Sequence, residues 1–305
     1  MVEEENNLNS FKSISDLTKR VMKQIEEARN NENGVIGVPS CFTEIDRITS
    51  GWQPADLIII AARPAMGKTA YALSLARNAA VDFKIPVAFF SLEMYAKDSV
   101  TRLISLESGV YMWKLRRGRL KNDEMQQIQS RITNLADAPL FIDDTANLSI
   151  SELREKAQNL KTNHNIQLLI IDYLQLIQVD KESKIEARNK EQEISMICCS
   201  LKSLAKELNI PIIALSQLSR TVEKRGGDYH PLLSDLNEMG NIAQHADMVQ
   251  FICRPTYYGI TEDEDGNSTK DSATIIIAKH RNGPVGDVHL RFIEELAKFQ
   301  SIEDF

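Results

Sequence analysis

The chain has 305 residues, of which 43% are apolar and 26% charged, the composition of a folded protein with room for one large α/β domain or two small ones. Its formal charge of −7 argues against a protein that coats nucleic acid with its whole surface, so any nucleic-acid site must be local. No apolar run approaches the roughly 20 residues of a membrane span and the acidic start MVEEENN is unlike a signal peptide, so we expect a cytoplasmic protein with no membrane partner.

The start of the chain predicts a tail followed by an isolated helix. Residues 1–9 are polar, and we expect them to be disordered. Ser13 and Asp16 resemble a capping box, and NNENG at 30–34 ends the pattern. The apolar positions at helical spacing are Ile14, Leu17, Val21, Ile25 and Ala28. A helix of about 16 residues is marginal in water, so we expect residues 10–34 to pack on a partner surface, in this subunit or another.

From about residue 35 the chain alternates strands and helices. Continuous apolar runs are typical of strands covered on both faces, which predicts a mostly parallel sheet flanked by helices and edged by later antiparallel strands. The predicted strands are 57–62, 86–91, 139–143, 167–172, 211–216, 248–253, 273–279 and 287–293. The clearest predicted helices are 70–82, 150–161 and 191–208.

ARPAMGKT, residues 62–69, lies between an apolar strand and a helical pattern. It fits G-x-x-x-x-G-K-[ST], in which backbone N–H groups cradle phosphates, the lysine reaches the β/γ-phosphates and the hydroxyl binds Mg²⁺. Alanine replaces the first glycine, and it fits cheaply only where φ is negative, so we expect Ala62 at the strand end. The predicted nucleotide-binding loop residues are Arg63, Ala65, Met66, Gly67, Lys68 and Thr69.

Three further apolar runs end in polar residues. Asp172 ends LLIID, where it can hold Mg²⁺ through water or merely cap a turn. Glu93 follows VAFFSL, where it can act as a general base or as a helix N-terminal acid favoured by the dipole. Gln217 ends PIIALSQ, and its amide can both donate to a γ-phosphate and accept from water. The three residues are expected to meet in one crevice.

The chain resembles the C-terminal ATPase domain of the DnaB family of replicative DNA helicases. The resemblance rests on ARPAMGKT, FSLEM, LLIIDYLQL, NKEQEISMICCSLKSLAKEL, ALSQLSR, SDLNEMGNIAQHADMV and AKHRNGPVGDV, which follow in the family's order over roughly residues 35–295. The family's own loop commonly has alanine at the first position, as in Ala62. The resemblance implies a RecA-like fold for residues 35–305, with six subunits in a ring around single-stranded DNA and ATP between neighbours.

By this resemblance, Lys68 and Thr69 bind ATP and Mg²⁺, Glu93 is the catalytic base, Asp172 the Mg²⁺ acid and Gln217 the γ-phosphate sensor. Lys279 and Arg281, in IIIAKHRNGP, share one face if the strand persists. They are either a solvated edge or cations that reach a neighbour's γ-phosphate, with Arg281 as the finger. Arg254 is expected to pack near the base, although Pro255 replaces the family's usual Asp.

The resemblance also implies partners. The helix within residues 10–34 resembles the family's linker helix, which docks on the adjacent subunit of the homo-hexamer. The family's N-terminal domain, which helps recruit primase, has no counterpart in this sequence, and whether it was removed or is naturally missing stays open. Primase and a helicase loader are the other expected partners, in the bacterial nucleoid or for a phage-encoded protein.

For DNA, the resemblance points to the backbone of Asn237, Glu238 and Gly240, although the family often has Arg at the first of these positions. Two basic clusters are either DNA contacts or solvated surface, and we favour solvated surface for both. They are KLRRGRLK at 114–121, and Lys181, Lys184, Arg188 and Lys190. The 19 aromatic residues show no stacking ladder, which fits backbone gripping.

The four cysteines predict no chemistry. They show no CxxC spacing, and Cys198 and Cys199 are expected on a buried helix face. Two alternatives to a helicase stay open: a RecA-like recombination or repair ATPase that forms filaments, and an assembly module in which ATP only joins subunits. Glu93 and Gln217 argue against the assembly module, while the linker-helix stripe and KHRNGP argue against the recombinase.

Overall fold

The computed structural model describes residues 13–29, 34–180, 189–219, 222–223, 229–237, 241–262 and 265–302. The strands in these ranges are β1 (Leu57–Ala62), β2 (Val87–Ser91), β3 (Leu140–Asp143), β4 (Leu168–Asp172), β5 (Ile212–Gln217), β6 (Met248–Cys253), β7 (Ser272–His280), β8 (Gly286–Ile293) and β9 (Lys298–Ser301). The helices are α1 (Ile14–Arg29), α2 (Thr43–Thr49), α3 (Lys68–Arg77), α4 (Ala96–Ser108), α5 (Met112–Arg117), α6 (Asn122–Ala136), α7 (Ile150–His164), α8 (Lys190–Leu208), α9 (Leu233–Asn237) and α10 (Ile242–His245).

All these strands form one sheet in the order β3-β2-β4-β5-β1-β6-β7-β8-β9. The six from β3 to β6 in this order run parallel, and β7, β8 and β9 add antiparallel strands at one side. The predicted mostly parallel sheet with an antiparallel edge is therefore confirmed. Because the carboxyl ends of parallel strands share one edge, β2, β4, β5 and β1 end side by side.

Helices cover both faces of the sheet, which is why its central strands are continuous apolar runs. Every residue of β1 is buried. Its alternate residues divide between two cores: Ile59 packs with the Leu201 side of α8, and Ile60 packs with Tyr71 of α3. Each such aliphatic side chain stabilises the fold by about 1.5–3 kcal/mol. These buried central strands therefore hold in place the loops that follow and precede them.

Several boundaries and one surface differ from the sequence prediction. The helix predicted over 70–82 begins at Lys68, and its last residues, Asn78–Asp82, form a π-helical turn. β9 was not predicted, because KFQS is too short and too polar to signal a strand. Cys199 is exposed while Cys198 is buried, so placing both on the buried face was wrong. Adjacent helical residues lie about 100° apart, and only one of the two faces the core.

α1 confirms the helix predicted after Ser13. The Ser13 hydroxyl accepts from the Asp16 N–H at 3.1 Å and donates to its carboxylate at 2.8 Å. The apolar stripe is exposed, with Ile14 at 79% and Ile25 at 53%. Among the described helices, none combines the length and apolar character that crossing a bilayer requires. The expected tail at residues 1–9 lies outside the described residues.

Candidate functional site

The loop of residues 62–69, called the P-loop below, connects β1 to α3. Ala62 is the last residue of β1, outside the left-handed region, as predicted. The positive φ angles fall on Ala65 (62°) and on Gly67 (95°), which caps α3. A Cβ atom on Gly67 would lie 3.3 Å from the Phe299 ring, so the position is tight as well as left-handed. The loop thus aims the first backbone N–H groups of α3 outward, the geometry that binds phosphate.

A cleft of about 970 Å³ lies over the P-loop and brings the predicted residues together. Gly67, Lys68, Thr69, Glu93 and Gln217 all line it. They come from the ends of β1, β2 and β5, and β4 lies between β2 and β5 in the sheet. Of the three polar residues expected to meet in one crevice, Glu93 and Gln217 line the cleft, while Asp172 ends the strand between theirs and is not among the lining residues. We call this space the P-loop cleft.

Asp172, at the end of β4, is a buried carboxylate beside this cleft. The N–H groups of Leu92 and Glu93 donate to its backbone oxygen at 2.8 and 3.2 Å, which ties the end of β2 to the end of β4. Neither side-chain oxygen has a hydrogen-bond partner of good geometry among the described residues. Burial raises the pKa of Asp172 to about 6, against the lowering effects of Thr69 and Lys68. An unpaired buried carboxylate next to a threonine hydroxyl is the hard oxygen set that fits Mg²⁺.

Lys68 is the P-loop cation that lines the cleft. Its ammonium donates to the Ala62 carbonyl at 3.3 Å. Burial lowers the pKa of Lys68, while Asp172 and Glu93 raise it. The lysine is thus partly desolvated between two acids, where a bound phosphate group would supply the anion that satisfies it.

The structure adds two arginines that sequence reasoning missed. Arg102 of α4 and Arg116 of α5 both line the P-loop cleft. Burial lowers the pKa of Arg102, with a further lowering from Arg116, whereas Asp172 and Glu93 raise it. Among the described residues, neither guanidinium has a hydrogen bond or an ion pair. Two neighbouring cations facing a P-loop favour a ligand with several negative charges.

The run 114–121, interpreted above as solvated surface, is largely exposed, and one of its residues, Arg116, also lines the P-loop cleft. Lys114 pairs with Glu124 and so braces α5 against α6, while Arg116 points to the cleft. A sequence signal was available in the three basic residues in the last turn of this short helix, but the same composition is typical of solvated helices.

Three predicted nucleotide-binding residues direct their side chains elsewhere. Arg63 donates to Glu223 and to the Leu218 carbonyl, both at 2.8 Å, and the Met66 side chain lies in the core. Arg254 is nearly buried and donates to the Ala65 carbonyl at 3.2 Å. Their side chains therefore support the P-loop from behind, and only their neighbours in the loop face the cleft.

Lys279 and Arg281 lie at the opposite edge of the sheet. β7 is antiparallel to β6, so Lys279 pairs with Val249 near the start of β6. The Arg281 N–H donates to the Asp247 carbonyl at 2.9 Å, and Asp247 in turn bonds Leu57 at the start of β1. β1 has six residues, which at about 3.3 Å each separates this edge from the P-loop by roughly 20 Å. The two cations do not line their own chain's P-loop cleft.

The predicted DNA segment is only partly described. Asn237 is the last residue of α9, while Glu238 and Gly240 lie outside the described residues. Lys181, Lys184 and Arg188 also lie outside them, and Lys190 is exposed at the start of α8. The DNA contacts stay a prediction.

Comparisons with known proteins agree with this geometry. A model of the DnaB-like helicase C-terminal domain family matches residues 37–301. The replicative DNA helicase DnaB of Geobacillus stearothermophilus is 44% identical over 96% of this chain and 63% of its own length. The replicative DNA helicase DnaC of Bacillus subtilis is 42% identical over 99% of this chain and 64% of its own length. The chain thus spans a little under two thirds of the curated relatives it matches.

Solved structures give the same result for the fold. An ATPase domain covers 96% of this chain and 100% of its own, with a TM-score of 0.86 and 37% identity. A DnaB-like replicative helicase, solved in work on its interactions with primase, has a TM-score of 0.82 and 37% identity, covering 96% of this chain and 68% of its own. The fold is therefore that of DnaB-like ATPase domains, as the quoted motifs implied.

Proposed function

The chain belongs to the family of DnaB-like helicase C-terminal domains, and on this premise we propose that it is the ATP-hydrolysing motor of a replicative DNA helicase. Six copies form a ring that moves 5′ to 3′ along single-stranded DNA at a bacterial or phage replication fork. The observation that supports this best is the division of charged residues between the two edges of the sheet at which its strands begin and end. A P-loop with its acids occupies one edge, and Lys279 and Arg281 occupy the other.

The residues of the P-loop cleft have separate tasks. Lys68 and the backbone of residues 65–69 bind the β- and γ-phosphates of ATP. Thr69 and Asp172 would hold Mg²⁺, and the ion would supply charge neutralisation at the phosphates. Glu93 accepts a proton from the attacking water, and Gln217 senses the γ-phosphate from the next strand end. Arg102 and Arg116 add positive charge from the α4–α5 side.

The separation of the two edges explains why the active unit is an oligomer. Roughly 20 Å of sheet lies between Arg281 and its own P-loop, so the finger must serve a neighbouring subunit. An arginine finger supplied in trans stabilises transition-state charge and is worth about 10³- to 10⁵-fold in rate. ATP hydrolysis then requires contact between subunits, as a ring provides.

The exposed stripe of α1 suits the same assembly. Residues 10–34 form a linker helix that docks on the adjacent subunit and buries Ile14, Leu17, Val21 and Ile25. These apolar side chains are exposed to water in the single chain, and burying them on association favours formation of the ring.

DNA passes through the ring channel, where backbone N–H groups of Asn237, Glu238 and Gly240 bind phosphates. Such contacts are independent of sequence, as a replicative motor requires. The DnaB-like replicative helicase solved in work on primase makes primase the expected partner here, together with a helicase loader.

Imaging tests the assembly directly. We expect closed six-membered rings by negative-stain electron microscopy with a non-hydrolysable ATP analogue and oligo-dT. Helical filaments on the DNA would contradict the helicase function and support a recombination or repair ATPase.

Mixed assemblies test the chemistry. Arg281→Ala subunits have an intact P-loop but lack the finger, and Lys68→Ala subunits have an intact finger but lack the P-loop lysine. Each variant alone should therefore be nearly inactive. Their mixture should regain DNA-stimulated ATPase, because some interfaces pair a good P-loop with a good finger. No recovery in verified mixed rings would contradict a finger supplied in trans, and full activity of Arg281→Ala alone would refute the finger itself.

A further inference from the structure

Asp247 is a buried acid that joins Arg281, the proposed finger, to Leu57 at the start of β1. It is 4% exposed and lies just before β6. Its Oδ2 accepts from the Leu57 N–H at 2.8 Å and from the Lys202 ammonium. Its Oδ1 accepts from Arg281 at 3.1 Å, and its backbone oxygen accepts from the Arg281 N–H at 2.9 Å. Both ends of Arg281, backbone and guanidinium, are therefore bound to one residue.

The remaining contacts of the two cations go to the segment directly before Asp247. Arg281 donates to the Gln244 carbonyl at 2.8 Å. Lys279 donates to the carbonyls of Ala243 and Ala246 at 2.6 and 2.7 Å. Carbonyls at the end of a helix attract cations, and here they belong to α10 and the residue after it.

This environment holds Arg281 without burying it. Its side chain is 45% exposed, so the guanidinium stays accessible from outside the subunit. A guanidinium has five N–H donors, and the bonds to Asp247 and Gln244 use two of them, which leaves donors for phosphate. An arginine side chain has many rotamers, so holding it in place beforehand lowers the entropy cost of orienting it during reaction.

From these contacts we infer that Asp247 is the positioning residue of the trans finger, an inference that rests on the proposed function. Its carboxylate fixes Arg281 relative to Leu57, the first residue of the strand that leads to the P-loop. The finger thus moves with the rigid sheet of its own subunit rather than with a free loop. Loss of the carboxylate should misplace the finger and leave the P-loop of the same subunit intact.

The test uses Asp247→Asn, which keeps the size of the side chain. We expect the affinity for a fluorescent ATP analogue to stay within about twofold and kcat to fall about 10²-fold, the cost of a misplacement near 1 Å. In mixed assemblies, Asp247→Asn should regain ATPase with Lys68→Ala and not with Arg281→Ala. A variant that only destabilised the fold would not show this pattern of recovery with Lys68→Ala and no recovery with Arg281→Ala.

Lys202→Gln is the matched control, because it removes a donor to Oδ2 and leaves Oδ1 to Arg281. We expect it to lower the melting temperature while kcat stays within about threefold of wild type. If Asp247→Asn does not fold, Asp247→Glu, which keeps the charge, takes its place. It should show the same pattern of recovery in the mixed assemblies, with a smaller loss of kcat.

The mixture of Arg281→Ala with Lys68→Ala separates the two levels of the proposal. If that pair fails to recover, the trans finger is wrong and the role of Asp247 falls with it. If that pair recovers while the Asp247 variant keeps wild-type kcat, or complements Arg281→Ala, Asp247 does not position the finger.

Discussion

Arg254 offers a test of how the P-loop is held in its binding conformation. The arginine donates to the Ala65 carbonyl at 3.2 Å, pairs with Glu294 at 2.9 Å and lies 4.3 Å over the Phe292 ring. Ala65 has a φ of 62°, a conformation that costs a non-glycine residue about 1–2 kcal/mol. We expect Arg254→Met to keep the packing of the stem on the ring and to release the Ala65 carbonyl.

The magnitude follows from the three contacts. A hydrogen bond from a charged donor contributes about 1.5–3 kcal/mol to the free energy of unfolding. The pair with Glu294 adds little, because that side chain is 76% exposed, and an exposed ion pair is worth about 0.2–1 kcal/mol. Methionine retains part of the contact with Phe292 through its sulfur. We therefore expect a loss of about 2–3 kcal/mol in stability, and a nucleotide Kd raised about tenfold, equivalent to about 1.4 kcal/mol.

The assays are urea denaturation without nucleotide and titration with a fluorescent ATP analogue. Arg291→Met is the matched control. Arg291 lies on β8, pairs with Asp271 at 3.3 Å and has a side chain that is 38% exposed. It should lose under about 1 kcal/mol and bind nucleotide like wild type. A destabilised Arg254→Met protein with unchanged nucleotide affinity would refute the role of Arg254 in shaping the P-loop, and no loss of stability would refute the energies.

Three other predictions concern catalysis, assembly and pH. Glu93→Gln should bind nucleotide normally but lose about 10²- to 10⁴-fold in single-turnover hydrolysis, and wild-type turnover would mean that Glu93 only caps a helix. Deletion of residues 1–32 should weaken rings in light scattering while nucleotide binding persists, and unchanged assembly would rule out the linker role. Burial raises the pKa of Asp143, but hydrogen bonds from Lys156 and Thr145 outweigh it, and the pKa lies below its ordinary 3.8. Because its pKa is lowered on folding, the ionised Asp143 carboxylate stabilises the fold above pH 3.8, and this stabilisation is lost as the pH falls through the folded-state pKa. Asp143→Asn should therefore lower the free energy of unfolding by about 0.5–1 kcal/mol at pH 7 and by less near pH 3, measured by urea denaturation. An equal loss of stability at the two pH values would contradict this linkage.

The sequence by itself determined the elements of the site. Glu93, Asp172 and Gln217 come at or within two residues of the end of a continuous apolar run, and Lys68 ends the loop that follows another such run. Such runs are buried parallel strands, and their carboxyl ends share one edge of the sheet. The cap at Ser13 and the extended conformation of Ala62 were likewise local consequences of residue type. These predictions needed only the chain's own periodicity and the chemistry of phosphate binding.

Only the tertiary structure decided what the arginines do. Arg63, Arg102, Arg116 and Arg254 are similar residues in sequence, yet two face the P-loop cleft and two hold the P-loop from behind. Their roles depend on strand order and on how α4 and α5 fold back over the loop, which no local pattern records. The same holds for Arg281: the antiparallel return of β7 carries it to the edge opposite the P-loop and onto Asp247, because a strand's direction in the sheet is set by its long-range pairing.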